Sequence, residues 1–434
     1  MEGRRRARLA GMVAFARERS PYYRELYRGL PGRVEDPTLL PPTNKKELME
    51  RFDDWPTDRE VTIEGARSFV DDPDLIGELF LGSYTVATTS GVTGTRGIFV
   101  LDERNVAVNQ ALALRMMRTF LETGEFIKIV ARGGRYSLVI ATGGHFMSTA
   151  IAARVRKGRL GRRKFQVVSV HAPLSGMVAE LNRFQPAVVL GYASAVAVLA
   201  GEQEAGRLRI RPVLVQPAGE GLAEGEYDRI AEAFGAEVRD AYSATECTFI
   251  GYSCEHRWQH LNADWVVLEP VDAEYRPVPA GERSHTVLIS NLANRVQPIL
   301  RYDLGDSVLQ RPDPCPCGNP LPAVRVRGRS ADVPTFPTDR GGTATVPPLA
   351  FGTLIDRIPG IELFQVVQTA PTALSVRLRP APGADPERAW RAVRDEITRL
   401  LSERGLGHVA VERAGEPPEQ SRGGKYRTVI PLKP

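Results

Sequence analysis

Hydroxyl-bearing residues and glycines are concentrated in one short stretch, TTSGVTGTRG, which runs from Thr88 to Gly97. Small residues let backbone N–H groups approach an anion, and Ser and Thr hydroxyls add donors without bulk. The stretch is not a Walker A loop, because no Gly-Lys-Ser/Thr follows at the required spacing. Ordinary turns collect the same residues, so this stretch alone leaves a phosphate loop and a flexible turn both open. The residues it offers to a phosphate are Thr88, Thr89, Ser90, Gly91, Thr93, Gly94, Thr95 and Gly97.

Four further segments supply the other side chains that a nucleotide triphosphate site needs. DAYSATE ends in Glu246 and brings an aromatic ring, two hydroxyls and carboxylates, while ILRYDLGDSV places Asp303 and Asp306 around a glycine. VRGRSAD carries Arg329, and SRGGKYR carries Lys425. Together they offer a ring for stacking, carboxylates for Mg²⁺ and ribose hydroxyls, and cations for phosphate. Each residue alone also fits a cap, a turn or a solvated charge, so it is their order along the chain that favours a nucleotide site.

Cysteine and histidine form a second constellation. Cys254 and His260 are spaced C-x5-H in SCEHRWQH, and Cys315 and Cys317 form C-x-C in PCPCGN. Four soft ligands from two turns suit a closed tetrahedral Zn²⁺ site, although His256 could replace His260. The alternative is two separate groups of buried free thiols. A zinc ion here would be structural, and it would join the strand after YSATE to the loop after RYDLGD.

The elements that must position these residues follow from the hydrophobic pattern. RRARLAGMVAFARER predicts a helix that stops before Pro21. From about Arg67 to Pro270, β-rich runs alternate with helical patterns, which predicts βαβ units and a mostly parallel sheet. The predicted strands are FIKIVA, SLVIATGG, FQVVSV, AVVLGY and RPVLVQPAGE, and the helices include GMVAELNRF and EGEYDRIAEAFG. Glycines follow several strands where open α/β sheets bind ligands.

Beyond Pro270 the pattern changes to antiparallel strands joined by turns, and a smaller α+β block then closes the chain. The smaller block comprises IELFQVVQT, ALSVRLRPAPG, the helix DPERAWRAVRDEITRLLSERG and HVAVERAG. Because proline and glycine are dense after Asp332, we place the boundary there. The predicted fold is therefore a large α/β domain with parallel-rich sheets and an antiparallel section over residues 1–332, followed by a small mobile α+β domain over residues 333–434.

Composition bounds the class of protein. The 434 residues are 42% hydrophobic and 25% charged, which is ordinary for a globular chain. The net charge of +5 comes partly from GRRRAR and from RKGRLGRRK near Lys164, runs that usually form solvated faces. We find no nucleic-acid-binding motif, no apolar run long enough for a bilayer span and no secretory signal, so we expect neither nucleic-acid nor membrane partners. Four cysteines in a chain this long favour a reducing cytoplasm over a disulfide framework.

These segments, taken in their order along the chain, resemble the motifs of the adenylate-forming ligases. Within that group the resemblance is to the phenylacetate–CoA ligase family, and it extends nearly from end to end of the chain. ERSPYYRELY and LPPTNKKEL look like the family's first segments, and TTSGVTGTRG like its phosphate loop. PAGEGL, YSATE, RYDLGD and GRSAD are similar to its adenine-side, Tyr-Gly-x-x-Glu, Arg-Tyr-x-x-Gly-Asp and pre-hinge motifs. IPGIELFQVVQ looks like the branch containing coenzyme F390 synthetase and CapK proteins.

The resemblance implies a role for each matching residue. Tyr242 would stack on adenine, Thr245 would touch the α-phosphate, Glu246 would help hold Mg²⁺, and Lys425 would neutralise the α-phosphate during adenylation. Asp306 would bind the ribose hydroxyls, with Arg329 near ribose and phosphate. The hinge between domains would lie at Asp332. The remaining residues implied for ATP are Thr89, Ser90, Gly91, Thr93 and Gly94 on the phosphates, with Gly219, Glu220 and Ser243 on the adenine side.

The acid pocket implied by the resemblance draws on ATGGHFMST and GYASA, with His145, Phe146, Tyr192 and Ala193 as its candidates. His145 follows two glycines and either contacts the substrate carboxylate or is simply a packed histidine. Small Ala193 beside aromatic neighbours admits an aryl or medium acyl group without identifying it.

The chain departs from the family pattern at a few positions. Val92 stands where Ser or Thr is usual, Arg96 where Pro or Lys is common, Ser243 for Gly, and Ala331 for a frequent Asp. None removes an indispensable charge, but the departures keep a catalytically inactive, nucleotide-binding homologue open as an alternative.

The activity that the resemblance implies is ATP-dependent conversion of an organic acid to an acyl-adenylate, with ATP, Mg²⁺ and the acid as ligands. A nucleophile then captures the acyl group. The CoA thiol is the usual acceptor in this family, and an amine or a carrier-protein thiol is the alternative. The small domain would rotate about its hinge between the half-reactions. A homodimer is compatible with this interpretation.

Overall fold

The computed structural model describes residues 1–89, 97–142, 144–156, 158–219, 221–222, 224–329, 333–338, 342–346, 348–355, 358–419 and 427–432. The chain divides into two compact units. One comprises Met1–Gly219 and Arg229–Val326, and the other comprises Glu220–Asp228 and Arg327–Pro434. The predicted hinge at Asp332 lies outside the described residues, so the boundary after Asp332 stays a prediction.

Helices occur in both units. In chain order they are α1 Glu2–Arg19, α2 Pro21–Leu26, α3 Lys45–Glu50, α4 Ile63–Asp71, α5 Glu103–Phe120, α6 Thr123–Ala131, α7 Met147–Val155, α8 Gly158–Lys164, α9 Leu174–Phe184, α10 Ala193–Glu204, α11 Glu224–Phe234, α12 Pro348–Ile355 and α13 Pro386–Ser402. Short 3₁₀ turns cover Pro37–Leu39, Phe52–Asp54 and Pro73–Leu75. No helix among the described residues is both long enough and apolar enough to cross a bilayer.

The predicted N-terminal helix and its stop are confirmed. Helix α1 ends at Arg19, and Pro21 is the first residue of α2, where the missing proline N–H costs no hydrogen bond. Ser20 caps α2, because its Oγ accepts from the Tyr23 N–H at 3.3 Å. Leu9, Val13 and Tyr23 are buried in the main core of the large unit.

A parallel sheet of five strands, in the order β4-β3-β5-β6-β7, forms the α/β part of the large unit. Its strands are β3 Tyr136–Ile140, β4 Phe165–Ser169, β5 Val188–Tyr192, β6 Leu214–Ala218 and β7 Glu237–Val238. The pairings Tyr136 with Val188 and Val188 with Leu214 align the amino ends of β3, β5 and β6. The predicted parallel sheet is confirmed, but it ends at Val238 and not near Pro270.

One predicted strand is wrong. FIKIVA lies in helix α6, where Phe126, Ile127 and Val130 are exposed. Glu122 and Glu125 form a capping box at the start of this helix, and the Glu125 side chain accepts from the Glu122 N–H at 3.0 Å. A short apolar run does not distinguish strand from helix by periodicity, and here the local cap decided the outcome.

Antiparallel sheets complete the large unit. A two-stranded sheet pairs β1 Thr85–Thr88 with β2 Ile98–Leu101. A five-stranded sheet has the order β14-β15-β10-β9-β8, and a three-stranded sheet has the order β11-β12-β13. Their strands are β8 Ala241–Tyr242, β9 Gly251–Ser253, β10 Gln259–Leu261, β11 Val266–Val271, β12 Thr286–Asn291, β13 Ile299–Asp303, β14 Asp306–Gln310 and β15 Ala323–Arg329. The predicted antiparallel section is confirmed.

The small unit has its own α+β core, as the sequence predicted. A four-stranded sheet in the order β20-β19-β18-β21 packs against α13, whose Val393, Ile397 and Leu401 are buried. A separate hairpin joins β16 and β17. The strands are β16 Thr335–Pro337, β17 Thr343–Thr345, β18 Ile361–Ala370, β19 Ala373–Pro380, β20 Ala410–Arg413 and β21 Val429–Ile430.

Candidate active site and candidate metal centre

The base of the glycine-rich loop is closed by Thr89 and Gly97. The Thr89 N–H donates to the Gly97 carbonyl at 3.0 Å, and Thr89 Oγ1 accepts from the Gly97 N–H at 2.8 Å. These two bonds continue the antiparallel β1–β2 pairing by one residue pair. Ser90, Gly91, Thr93 and Gly94 lie outside the described residues, so their part in holding phosphate stays a prediction.

His145 is buried at the end of this same sheet. Its carbonyl accepts from the Thr88 N–H at 2.7 Å, and its Nε2 lies 2.9 Å from the Asp72 carbonyl. Its ring centroid lies 5.3 Å from that of Phe69. These contacts are those of a packed histidine, and its predicted contact with a substrate carboxylate remains untested. Phe146, the next residue, caps α7 and is half-buried.

Candidate residues gather at the carboxyl edge of the parallel sheet. Gly144 follows β3, Tyr192 ends β5, and Gly219 follows β6, and these three strands are neighbours in the sheet. Gly219 has φ +76°, a backbone conformation that favours glycine. Tyr192 and the adjacent Ala193 are buried. The topology therefore brings the predicted adenine-side and acid-side segments to the edge where open α/β sheets bind ligands.

Close approach of two strands fixes this edge. A β-carbon added at Gly191 would lie 2.8 Å from Val139 Cβ and 2.9 Å from the Val139 carbonyl oxygen. Strands β3 and β5 therefore require glycine at this position, one residue before Tyr192.

Tyr242 and Asp306 are joined directly. The Tyr242 hydroxyl donates to Asp306 Oδ2 at 2.8 Å, and both side chains are buried. Gly305, at φ +77°, turns the chain before Asp306, and its N–H donates to Asp303 Oδ1 at 3.0 Å. The predicted adenine and ribose residues are thus neighbours in space.

Glu246 is buried and held by Tyr302. The Tyr302 hydroxyl donates to Glu246 Oε1 at 2.9 Å, while Asn291 Nδ2 donates to the Glu246 carbonyl at 3.3 Å. Within the described part of the chain, Oε2 of Glu246 accepts no hydrogen bond, which leaves an oxygen for a cation. Tyr302 is not among the site residues predicted from sequence, although its position within RYDLGD was a signal.

The other predicted ATP residues are placed only in part. Thr245 is half-buried and Ser243 is exposed. Arg329 is the last residue of β15. Glu220 and Lys425 lie outside the described residues, and their roles stay predictions.

One thiol next to the site is unsuited to chemistry. Cys247 is buried, and burial, followed by the charge of Glu246, raises its pKa to about 12. Because both effects disfavour the thiolate, Cys247 stays protonated at neutral pH.

The structure brings the four predicted metal ligands together. Each of Cys254, His260, Cys315 and Cys317 offers one ligand atom, and these atoms all lie within 4.8 Å of one another. Sγ of Cys254 lies 3.7 Å from Sγ of Cys315, and Sγ of Cys317 lies 3.2 Å from Nε2 of His260. Tetrahedral Zn–S bonds of about 2.3 Å place two sulfurs about 3.8 Å apart, so the donor set fits zinc.

The structure also chooses between the two histidines. His260 is buried, and its Nδ1 lies 3.1 Å from the Leu321 carbonyl, which directs Nε2 toward the thiols. His256 is exposed, and its Nε2 lies 3.8 Å from a carboxylate oxygen of Glu255. His256 is not a member of the cluster.

Solved structures share this fold over 79% to 99% of the chain. A 2-hydroxyisobutyryl-CoA ligase bound to its acyl-adenylate is 23% identical, with a TM-score of 0.71, over 99% of this chain and 89% of that one. The amide bond synthetase McbA from Marinactinospora thermotolerans is 16% identical, with a TM-score of 0.54, over 79% of this chain and 67% of that one. A benzoate-CoA ligase from Burkholderia xenovorans LB400 is 14% identical, with a TM-score of 0.53, and the match again covers 79% of this chain and 67% of that one.

No protein-family model and no curated protein sequence matches the chain. The structural likeness nevertheless shows the fold, which is that of the adenylate-forming acid–CoA ligases.

Proposed function

We propose that the protein activates an organic carboxylic acid with ATP, forms an acyl-adenylate and transfers the acyl group to the CoA thiol. The observation that carries the proposal is the pair of buried hydrogen bonds from Tyr242 to Asp306 and from Tyr302 to Glu246. They link the segments YSATE and RYDLGD within a fold shared with a ligase that binds an acyl-adenylate. The resemblance of the sequence to the phenylacetate–CoA ligase family, and to its F390 synthetase and CapK branch, supports the same activity.

In the first half-reaction an oxygen of the acid attacks the α-phosphorus of ATP. The bond from that phosphorus to the bridging oxygen breaks, and pyrophosphate leaves. Negative charge grows on the phosphoryl oxygens, and positioned donors and cations must offset it. Thr245 and Lys425 would serve the α-phosphate, and the loop around Ser90 would hold the β- and γ-phosphates.

Asp306 would bind the ribose, and the hydrogen bond from Tyr242 keeps its carboxylate fixed in a buried site. Glu246 would help hold Mg²⁺ through Oε2. The metal would supply positive charge that stabilises the departing pyrophosphate.

In the second half-reaction the CoA sulfur attacks the acyl carbon, and AMP leaves with its phosphate oxygen. Of the three solved proteins that share this fold, two are named as CoA ligases and one as an amide bond synthetase, so the fold serves more than one kind of acceptor. Fold alone does not choose between them. An amine or a carrier-protein thiol is therefore the second candidate, and we propose CoA because it is the acceptor most frequent in the family that the sequence resembles.

The test is a panel of aryl and short to medium acyl acids, assayed for acid-dependent exchange of labelled pyrophosphate into ATP. Parallel reactions contain CoA or hydroxylamine, and product masses identify the acceptor. If none of the acids in the panel supports exchange, the result would favour the inactive, nucleotide-binding homologue. A Lys425→Ala variant should lose exchange and keep ATP binding, and unchanged exchange would contradict the role of Lys425.

We also propose a structural Zn²⁺ bound by Cys254, His260, Cys315 and Cys317. All four ligands come from the large unit, and the ion would join the β9–β10 hairpin, which holds Cys254 and His260, to the loop between β14 and β15. Metal analysis of the purified protein should find one zinc per chain, and Cys317→Ser should reduce it. A wild-type protein without zinc would contradict this proposal.

A location in the cytoplasm is part of the same proposal, because thiols of a zinc site are kept reduced there. A homodimer stays a prediction, which the mass in solution would measure.

A further inference from the structure

Positive side chains collect at the amino edge of the parallel sheet, opposite the candidate active site. Lys164 directly precedes β4, Arg135 precedes β3, and Arg209 and Arg211 precede β6. A β-carbon added at Gly134 would lie 3.8 Å from Nζ of Lys164, so the basic residues of neighbouring strands come close together. Parallel strands all begin at the same edge, and this edge is therefore basic across most of its width.

An open pocket of about 260 Å³ lies in this edge. Its lining residues are Arg132, Arg135, Gln185, Pro186, Arg209 and Arg211. Backbone carbonyls orient the guanidinium groups: Arg135 Nε donates to Gln185 O at 3.0 Å, Arg209 Nε donates to Gly206 O at 2.9 Å, and Arg132 Nη1 donates to Arg211 O.

The arginines of this pocket are not paired with carboxylates in the part of the chain that the structure describes. Within the described ranges, none of the four forms an ion pair with a carboxylate, whereas nearby Arg207 binds Glu202 at 2.6 Å and Arg229 binds Glu204 at 3.0 Å. The pocket thus presents four uncompensated positive charges to an anion from outside the chain.

Helix α6 adds an exposed apolar face beside the pocket. Phe126, Ile127 and Val130 are 57%, 61% and 60% exposed, while Ile129 alone anchors the helix in the core. Phe126 and Val130 are one turn apart, with Ile127 on the same side. The helix ends at Ala131, and the next residue, Arg132, already lines the pocket. The apolar face of α6 and the basic pocket are therefore adjacent along the chain, and we treat them together as one surface.

We propose that this surface docks the protein on an anionic lipid bilayer. The apolar residues of α6 enter the headgroup region, and the arginines of the pocket contact lipid phosphates. Exposed apolar groups rimmed by cations are the pattern that peripheral membrane surfaces use. The proposal adds a membrane surface, bound without spanning, to a chain for which the sequence alone led us to expect no membrane partner.

Other occupants fit this surface less well. A second copy on a two-fold axis would bring the two arginine pockets together, and like charges repel. A carrier protein delivering a thiol must reach the carboxyl edge, and a five-residue strand places that edge about 16 Å away. Nucleic acid would use the arginines but leaves Ile127 and Val130 without partners.

The test is co-sedimentation of the full chain with vesicles. We expect binding to equimolar phosphatidylcholine and phosphatidylglycerol, little binding to phosphatidylcholine alone, and weaker binding at raised salt. A wild-type chain that stays in the supernatant with anionic vesicles would overturn the proposal. Equal binding to both kinds of vesicle would also overturn it.

Two variants and one matched control locate the surface. Arg209→Gln/Arg211→Gln should weaken binding at least about tenfold, since each basic residue near an anionic surface contributes several-fold. Ile127→Ser should weaken binding without changing its salt dependence. The control, Arg388→Gln/Arg391→Gln, removes two exposed arginines of α13 and should bind as wild type does. Circular dichroism and pyrophosphate exchange should be unchanged in all three, because none touches the candidate active site. Equal losses in the first pair and in the control would contradict the assignment.

Discussion

The Tyr242 hydroxyl donates to Asp306 at 2.8 Å, although Tyr242 ends β8 and Asp306 begins β14, the two edge strands of one five-stranded sheet. In a flat sheet these edges would be about 19 Å apart. The sheet must therefore curl until its edges meet, and the meeting point is where the adenine and ribose residues are predicted to act.

Loss of this hydrogen bond should weaken ATP binding. Tyr242→Phe keeps the ring and removes the donor, so the Asp306 carboxylate loses one fixed partner. We expect KM for ATP to rise about fivefold, as for one buried hydrogen bond of about 1 kcal/mol. Steady-state pyrophosphate exchange measures this change. Tyr252→Phe is the control, because this tyrosine lies in the neighbouring strand β9 but its hydroxyl accepts from Asn319 Nδ2 at 3.2 Å. An equal KM rise there would contradict a specific effect of the bond to Asp306.

Charge at Glu246 should matter more than its hydrogen bond. Glu246→Gln keeps the size and an oxygen for Tyr302 but removes the negative charge proposed to hold Mg²⁺. We expect kcat/KM to fall about a hundredfold or more, with a higher Mg²⁺ requirement. Titration of activity against Mg²⁺ measures both. Glu232→Gln, an exposed carboxylate on α11, should leave both unchanged. A normal Mg²⁺ requirement in Glu246→Gln would remove Glu246 from the metal site.

Space at Gly191 should limit both stability and activity. Gly191→Ala places a methyl group 2.8 Å from Val139 Cβ, so β3 and β5 must separate at their carboxyl ends. We expect a loss of about 1–3 kcal/mol in the free energy of unfolding and reduced adenylation, measured by urea denaturation and exchange. Gly201→Ala in α10 has open space and should stabilise by about 0.5–1 kcal/mol. Similar effects of the two substitutions would contradict the strand-packing argument.

Cys247 should react differently from the other three cysteines, because those three are proposed zinc ligands and a thiol that binds zinc is held as the thiolate. The pKa of Cys247 is raised to about 12, and a raised thiol pKa means less thiolate at any working pH. At about pH 8 the thiolate fraction should be about a thousandfold below that of an ordinary thiol. A mercurial reagent should therefore modify Cys254, Cys315 and Cys317 of the native protein and release one zinc, and reach Cys247 only after unfolding. Cys247→Ser should release the same zinc, and a different yield would place Cys247 in the metal centre.

Many of the helices and strands could be predicted from the sequence, because helix caps, prolines and apolar runs act on the residues next to them. Pro21 ends one helix and begins the next, and Asp385 caps α13 by accepting from the Glu387 N–H at 2.9 Å. β-rich apolar runs that alternate with helical patterns predicted β3, β5 and β6, and glycines marked the ends of these strands. FIKIVA was mistaken for a strand because three of its apolar residues, Phe126, Ile127 and Val130, are exposed and only Ile129 is buried, so burial hardly constrains the pattern.

The candidate sites divide along the same line. The sequence by itself determined the order of the motifs, the ligand types at Cys254, Cys315 and Cys317, and the presence of a histidine nearby, since these depend only on residue identity and spacing. Only the tertiary structure decided that His260 and not His256 completes the cluster, that Tyr302 holds Glu246, and that Tyr242 meets Asp306. The physical reason is that such contacts join residues about sixty positions apart, and their distances are set by sheet curvature and burial.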